Sequence, residues 1–219
     1  MNIKSLSAAI IMLAAFTIMT ACGMRDRQAE GFTETELALI HRSDSIMRVL
    51  TIDAPSELAV LRALSYDLSD SALLSDDFKR LAELMVATVT HPSQDGVGIA
   101  GPQVGLNRRV IAVQRFDKEG EPFEVYPNVR IVWASDSLAA GPEGCLSVPN
   151  RRGVVLRSHE IVIEYADIDG AEYSWKEDRL KSNRKPVPMV RDTVRGFTAV
   201  IFQHEVDHLD GVLYIDRLR

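Results

Sequence analysis

Near the end of this 219-residue chain stands Gln203-His204-Glu205-Val206-Asp207-His208. In a helix, four residues amount to about 400° of rotation and about 6 Å of rise, so both imidazoles leave one face and a single divalent cation can be held by both. Glu205 follows the first histidine. It is close enough to reach a water on that cation but turned around the helix from direct ligation, which is the place of a general base. The apolar run Val200-Ile201-Phe202 just before argues against a wholly solvated helix that carries two histidines by accident.

Two imidazoles do not complete a site, and the residues after His208 do not supply the rest. Gly211 is placed as in a metzincin, but Tyr214 stands where that pattern has its third histidine. The downstream glutamate of a thermolysin-like site has no room in the residues that remain. The third ligand therefore has to come from earlier in the chain, and Cys145, in Glu143-Gly144-Cys145-Leu146-Ser147, is the distinctive candidate. A thiolate would complete a His2Cys set with a fourth position open for water, as catalytic sites require. The plainer reading of Cys145 is a buried structural thiol.

The other cysteine has a different setting. Residues 1–21 read as an export signal, with Lys4 ahead of an apolar stretch from Leu6 to Ala21. At about sixteen residues this stretch is short for a membrane span, which needs about 20. Met19-Thr20-Ala21-Cys22 resembles the lipobox of bacterial lipoproteins, in which the cysteine is acylated and becomes the mature N-terminus. Gly23 follows rather than the aspartate that signals retention at the inner membrane. The expectation is an exported protein tethered by a lipid on Cys22, on the periplasmic side of either membrane or at the surface. Two cysteines put to separate uses leave no disulfide framework. A net charge of −6 speaks against a general nucleic-acid surface. The expected organisation is a signal over 1–21, a tether and N-terminal helix over 22–46, and one catalytic domain over 47–219.

Along the chain, residues 23–32 read as a solvated spacer. Thr33-Glu34-Thr35-Glu36 matches a capping box and predicts a helix to about Met47, with His41 on its surface. A second short helix is expected from Ser56 to Leu64. A longer one is expected after the N-cap Ser75, with Phe78, Leu81, Leu84, Met85 and Val89 at helical spacing and His91-Pro92 as its end, His91 being a loop residue. Gly96-Val97-Gly98-Ile99-Ala100-Gly101 formally matches a dinucleotide fingerprint. That reading fails because a helix precedes it and Pro102 follows, whereas the fingerprint lies between a strand and a helix. Close approach of backbone to something bound suits these glycines better. Strands are expected over 110–114, 123–126, 130–134, 154–157 and 161–165, with a hairpin signal at Asp169-Gly170. Strands first and then one terminal helix make the fold α+β, with antiparallel strands packed around the His-Glu-x-x-His helix. Residues 174–190, basic and with Pro186 and Pro188, read as a solvated insertion.

Gly96 to Gln103, Glu143 to Ser147 and Gln203 to His208 resemble, in order, the three motifs of the peptide deformylase family. The second and third match fully. The first departs once, with Gly101 where the family has alanine. Similarity extends from about Met47 to Arg219. The resemblance implies that Cys145, His204 and His208 bind one divalent metal ion, Fe2+ or Zn2+, with Ni2+ in some members. It implies that Glu205 moves the proton from the attacking water to the leaving amine. Gln103 and the Leu146 N–H would hold the oxyanion, Val97 and Gly98 would offer their backbone to an N-formylated peptide, and Glu143 would pair with Arg157 to stiffen the cysteine loop. Phe197, Val200 and Ile201 precede His204 by seven, four and three residues and share its face. They either line a pocket for a methionine-like side chain or pack as ordinary core.

The implied activity is hydrolysis of the N-formyl group from N-formylmethionyl peptides, with release of formate. The export signal is at odds with a reaction on nascent chains, so two other readings stay open here: an envelope amidase or peptidase of related mechanism, and a catalytically idle peptide-binding lipoprotein. Retention of Glu205 argues against the idle one. A cysteine-ligated iron(II) outside the cytosol would face oxygen, and its thiolate could oxidise, so zinc or another air-stable ion is the expected occupant.

Overall fold

The computed structural model describes residues 30–169 and 186–219. The export signal, Cys22, the spacer to residue 29, Gly170 of the expected hairpin and the basic stretch over 174–185 lie outside the described residues.

Helix α1 (Glu34–Arg42) begins as its capping box predicts, the Thr33 N–H donating to Glu36 Oε2 at 2.8 Å and the Glu36 N–H to Thr33 Oγ1 at 3.2 Å. It ends five residues short of Met47, for a tertiary reason. Arg80 takes the carbonyls of Ile40 and Ser43, and the Met47 N–H donates to Thr88 Oγ1 at 2.8 Å. Those bonds hold the chain extended where helical pairing would have continued. His41 is exposed, as expected, and pairs with Asp77. Helix α2 (Pro55–Leu61) starts on its proline and stops three residues before the expected Leu64. The short α3 (Asp70–Leu73), capped by Ser69, has no counterpart in the sequence reading. Helix α4 (Asp76–Thr90) starts at the N-cap Ser75 and ends at His91, and it buries Phe78, Leu81, Leu84, Met85 and Val89.

Eight strands follow among the described residues, and every pairing is antiparallel. One sheet orders β1 (Gly98–Ala100), β2 (Val110–Gln114) and β3 (Phe123–Pro127). A second orders β4 (Arg130–Ala134), β7 (Glu160–Ala166) and β8 (Met189–Arg195), and β5 (Leu138–Cys145) with β6 (Val148–Ser158) forms a hairpin. Helix α5 (Gly196–Leu209) carries the two histidines. The α+β class and the C-terminal-region helix are as expected.

Three strands, β1, β5 and β8, went unseen, the last two because their local signals point elsewhere. In β5 the residues Gly141, Pro142 and Gly144 are poor strand formers, and eleven-residue β6 supplies the pairing that overrides them. In β8 the charges are solvent-side partners: Arg191 pairs with Glu164 and Arg195 with Glu160, while Val194 is fully buried beneath. The insertion reading is therefore wrong for its last residues, where Val187 joins the core and Met189 opens β8.

Strand β2 places α5. Side chains alternate across a strand, so Val110 and Ala112 pack toward α1 and α4, while Ile111 and Val113 pack toward Ile201, Phe202 and Leu209 of α5. A third cluster, Val148, Val155, Leu213 and Tyr214, seats the β5–β6 hairpin against the C-terminal residues. Between that hairpin and β1 runs the face of α5 that bears His204.

Candidate active site

Helix α5 brings His204, Glu205 and His208 to one place, and the end of β5 adds Cys145. The ligating atoms of Cys145, His204 and His208 all lie within 4.8 Å of one another, with Cys145 Sγ 3.2 Å from His208 Nε2. These are the three ligands expected from the sequence.

A run of charges behind them fixes the geometry. Arg157 grips Glu143 with two hydrogen bonds, Nε to Oε1 at 2.8 Å and Nη2 to Oε2 at 2.9 Å. Oε2 of Glu143 also lies 2.9 Å from His204 Nδ1, which leaves the Nε2 of that ring as its free donor atom. The other arm of Arg157 donates to Asp207 at 2.6 Å, and Asp207 is held in turn by Arg217 at 2.6 Å. The His204 ring stacks on Tyr214 at 5.9 Å. The sequence reading assigned no part to Asp207, Tyr214 or Arg217. Asp207 sits inside the motif beside His208, which was the one signal on offer.

Proton affinities diverge sharply across these few ångströms. Burial works to raise the Glu143 carboxyl, but the hydrogen bonds from Arg157 and His204 outweigh it and hold it down to about 2. Burial pushes Glu205 up to about 7. For His204, burial favours the neutral ring, yet Cys145 and Glu143 raise it to about 10, while burial and the neighbouring His204 charge drive His208 well below the ordinary range. A thiol and a carboxylate thus draw positive charge into the space between the two rings. A dication meets that demand, and one thiolate with two imidazoles is a donor set that suits zinc or iron. Glu205 Oε2 and His208 Nδ1 are buried without a hydrogen-bond partner, the mark of a place that a water or ion completes.

Gln103 is buried beside the thiol. Its Oε1 accepts from the Ala100 N–H at 2.8 Å, which turns Nε2 toward Ser147 Oγ at 3.2 Å and Cys145 Sγ at 3.5 Å. Leu146 occupies the two-residue turn between Cys145 and Val148. Gly98 is needed for close approach within the chain: a Cβ there would fall 2.5 Å from Glu205 Oε1. Gly101, the one departure in the first motif, also has a local reason. A Cβ would lie 2.7 Å from the carbonyls of Leu106 and Arg108, so this chain has no room for alanine there.

A cavity of about 890 Å³ opens over the cluster. Val97, Gly98, Phe197, Val200 and Ile201 all line it, together with Cys145, His204 and Glu205. The two readings of the apolar trio divide by residue: Ile201 is also buried in the core around α5, whereas Phe197 is 57% exposed at the rim against Phe116. The sequence reading missed Asn150, Arg151 and Arg152 on the same wall.

Residues 46–219 match the model of the family described as polypeptide deformylase. A peptide deformylase of Leptospira biflexa is 33% identical over 183 residues, covering 80% of this chain and 89% of that protein. Peptide deformylase 2 of Gloeobacter violaceus is 38% identical over 147 residues, covering 66% and 68%. Among solved structures, a class I type b peptide deformylase from Acinetobacter baumannii with Met-Ala-Ser bound superposes with a TM-score of 0.64 at 31% identity, covering 79% of this chain and 98% of that one. The peptide deformylase of Thermotoga maritima does so with 0.63 at 28%, covering 80% and 99%.

Proposed function

Because the chain belongs to the polypeptide deformylase family, it is a metal-dependent hydrolase that removes the N-formyl group from N-formylmethionyl peptides and releases formate, and we propose a part in that reaction for each residue of its site. The enzyme uses one divalent ion. Cys145, His204 and His208 would hold it, and bound there a dication supplies a Lewis acid that polarises a carbonyl and makes water more acidic.

Glu205 takes a proton from the attacking water, whose oxygen bonds to the formyl carbon. When the carbon–nitrogen bond breaks, Glu205 delivers that proton to the departing amine. A base is most useful when its pKa lies near the working pH, and burial brings Glu205 to about 7. Gln103 Nε2 and the Leu146 N–H donate to the formyl oxygen as negative charge gathers on it, a task for donors already held in place. Val97 and Gly98 border the cavity at edge strand β1, where an extended peptide can pair with the backbone. Val200, Ile201 and Phe197 receive the methionine side chain. The observation that carries this assignment is the unpartnered Glu205 carboxylate oxygen buried beside three clustered ligand atoms.

We also propose that the enzyme is exported and held at the membrane by a lipid on Cys22, where zinc or another air-stable ion fills the site. The support is the apolar stretch before Met19-Thr20-Ala21-Cys22 and the start of the family match at residue 46, which leaves that leader as an addition to the catalytic part. One preparation tests both proposals: wild type and Glu205→Gln extracted from native membranes. Formate release from formyl-Met-Ala-Ser should fall at least about 100-fold in the variant with bound metal unchanged. Equal rates would remove Glu205 from the mechanism. Mass spectrometry of the N-terminal peptide should find acylated Cys22, and an intact Met1 would end the anchoring proposal.

A further inference from the structure

The β5–β6 hairpin is out of step at one point. Cys145 faces Val148 across its turn, so unbroken pairing would set Glu143 opposite Asn150, but Glu143 faces Gly153. Strand β6 therefore carries three residues more than β5 across this step, with Asn150 in the left-handed region at φ 59°. Bulges beside active sites re-aim side chains. This one sets Asn150, Arg151 and Arg152 on the wall of the cavity that contains Cys145, His204 and Glu205. The Arg152 side chain lies along Gly144, its Cγ and Nε 3.6 and 3.8 Å from where a Cβ of that glycine would be, one residue from the ligating thiol.

Both arginines are exposed, and neither makes an ion pair or side-chain hydrogen bond with a described residue. The hairpin's third arginine, Arg157, is buried and shows the contrast, since both its arms are taken by Glu143 and Asp207. The remaining acids of the cavity do not neutralise the pair. Glu143 is bound by Arg157, Glu205 lies deep, and Asp95 stands exposed in the segment leading to β1. One lip of the cleft is therefore basic.

We propose that Arg151 and Arg152 form a carboxylate-binding subsite, which selects formyl peptides that carry negative charge one or two residues beyond the formylated methionine. The proposal rests on the deformylase reading. An extended peptide advances about 3.3 Å per residue, so with its formyl group between Cys145 and Glu205 its next two residues pass within reach of long side chains on this wall. Guanidinium groups suit the task because their paired N–H donors match the two oxygens of a carboxylate. That carboxylate can be an acidic side chain or the free end of a short peptide.

The test compares kcat/KM of the metal-loaded full-length protein on formyl-Met-Ala-Asp-amide against formyl-Met-Ala-Asn-amide, and on formyl-Met-Ala-Ser with a free against an amidated C-terminus. The charged member should be preferred about fivefold at low salt, and the preference should shrink as added salt shortens the screening length. Arg151→Ala with Arg152→Ala should bring the ratio to about one, the double lysine variant should keep part of it, and the double glutamate variant should invert it. Preference for aspartate alone assigns the subsite to acidic sequences, and preference for the free terminus alone assigns it to short peptides. A wild-type ratio of one in both pairs, or a ratio that survives the double alanine change, overturns the proposal. Calorimetric binding of the deformylated Met-Ala-Asp-amide and Met-Ala-Asn-amide reads the same subsite without turnover, so a failure of formyl hydrolysis would show separately. Equal binding of those two peptides by the wild type would likewise overturn it.

Discussion

Arg157 and Arg115 are both buried against helix α5, and only one of them reaches the chemistry. Arg157, on the cavity side, holds Glu143 and Asp207. Arg115 holds Asp117 and Asp192, donates to the Tyr126 hydroxyl, and lies over the Phe202 ring of α5 at 5.7 Å. Both guanidinium groups are buried and each bonds two carboxylates, those of Arg115 being the more exposed. The difference lies in what the acceptor does next. Glu143 passes its second oxygen on to His204 Nδ1 and so decides which ring nitrogen is free, whereas Asp117 and Asp192 touch none of the three ligand residues. Arg115 joins β3, β8 and α5 as a packing device. A buried ion pair thus gains functional content when its acceptor has an oxygen left to orient a reacting group.

The largest effect should follow from Arg157→Met. Glu143 would stay buried and Asp207 largely enclosed, each with a partner removed, an arrangement that costs about 3–5 kcal/mol. With Glu143 no longer pinned, His204 would lose its fixed tautomer, and metal affinity should fall about 10–100-fold. Urea unfolding reads the first and chelator competition the second. Unchanged metal affinity would sever the connection from Arg157 to the site.

A smaller and purely structural effect is expected from Arg115→Met. Methionine keeps much of the packing on Phe202, and Asp117 and Asp192, at 27% and 35% exposure, can turn to water. The loss should be about 1–3 kcal/mol, with metal affinity and kcat/KM within about twofold of wild type. A fall in metal affinity like that of Arg157→Met would erase the distinction between the two sides of the helix.

The same contrast shows what could be read in advance. His204, Glu205 and His208 are legible because four-residue spacing on one helix is a local fact. Cys145 could be named by elimination as the missing third ligand, whereas Gln103 and Arg157, from remote segments as well, were tied in only by the family resemblance. Arg115 carried no such label: Tyr126 and Asp192, eleven and 77 residues away, meet it only through tertiary packing. Strand β8 was misread for the same reason. The charges of Arg191 and Arg195 look solvated in sequence, and their pairing with Glu164 and Glu160 exists only once β7 lies alongside. Helix α1 was drawn too long because Arg80 and Thr88, which compete for its last turn and the residues after it, belong to α4. Capping boxes and helical spacing are short-range signals, so α4 was legible from end to end.

The smallest effect tests whether charge, rather than shape, makes Arg115 stabilising. Asp117 is held below its ordinary 3.8, chiefly by its hydrogen bonds from Arg115 and against the effect of burial. A carboxylate depressed on folding contributes stability that is complete above its unfolded pKa and is lost as pH falls through the lower folded value. The stability deficit of Arg115→Met should therefore be full at pH 6 and narrow below about pH 4, where Asp117 begins to protonate in the unfolded chain and its advantage in the wild type starts to vanish. Asp117 is about a quarter exposed, so water screens the pair and the narrowing should be only about 0.5 kcal/mol. Urea midpoints of both proteins, metal-free and at constant ionic strength from pH 6 to pH 3, measure it. A deficit that stays level across that range would mean that the guanidinium stabilises this side of α5 through its packing on Phe202 and Tyr126, and that its bonds to Asp117 contribute nothing that acid can remove.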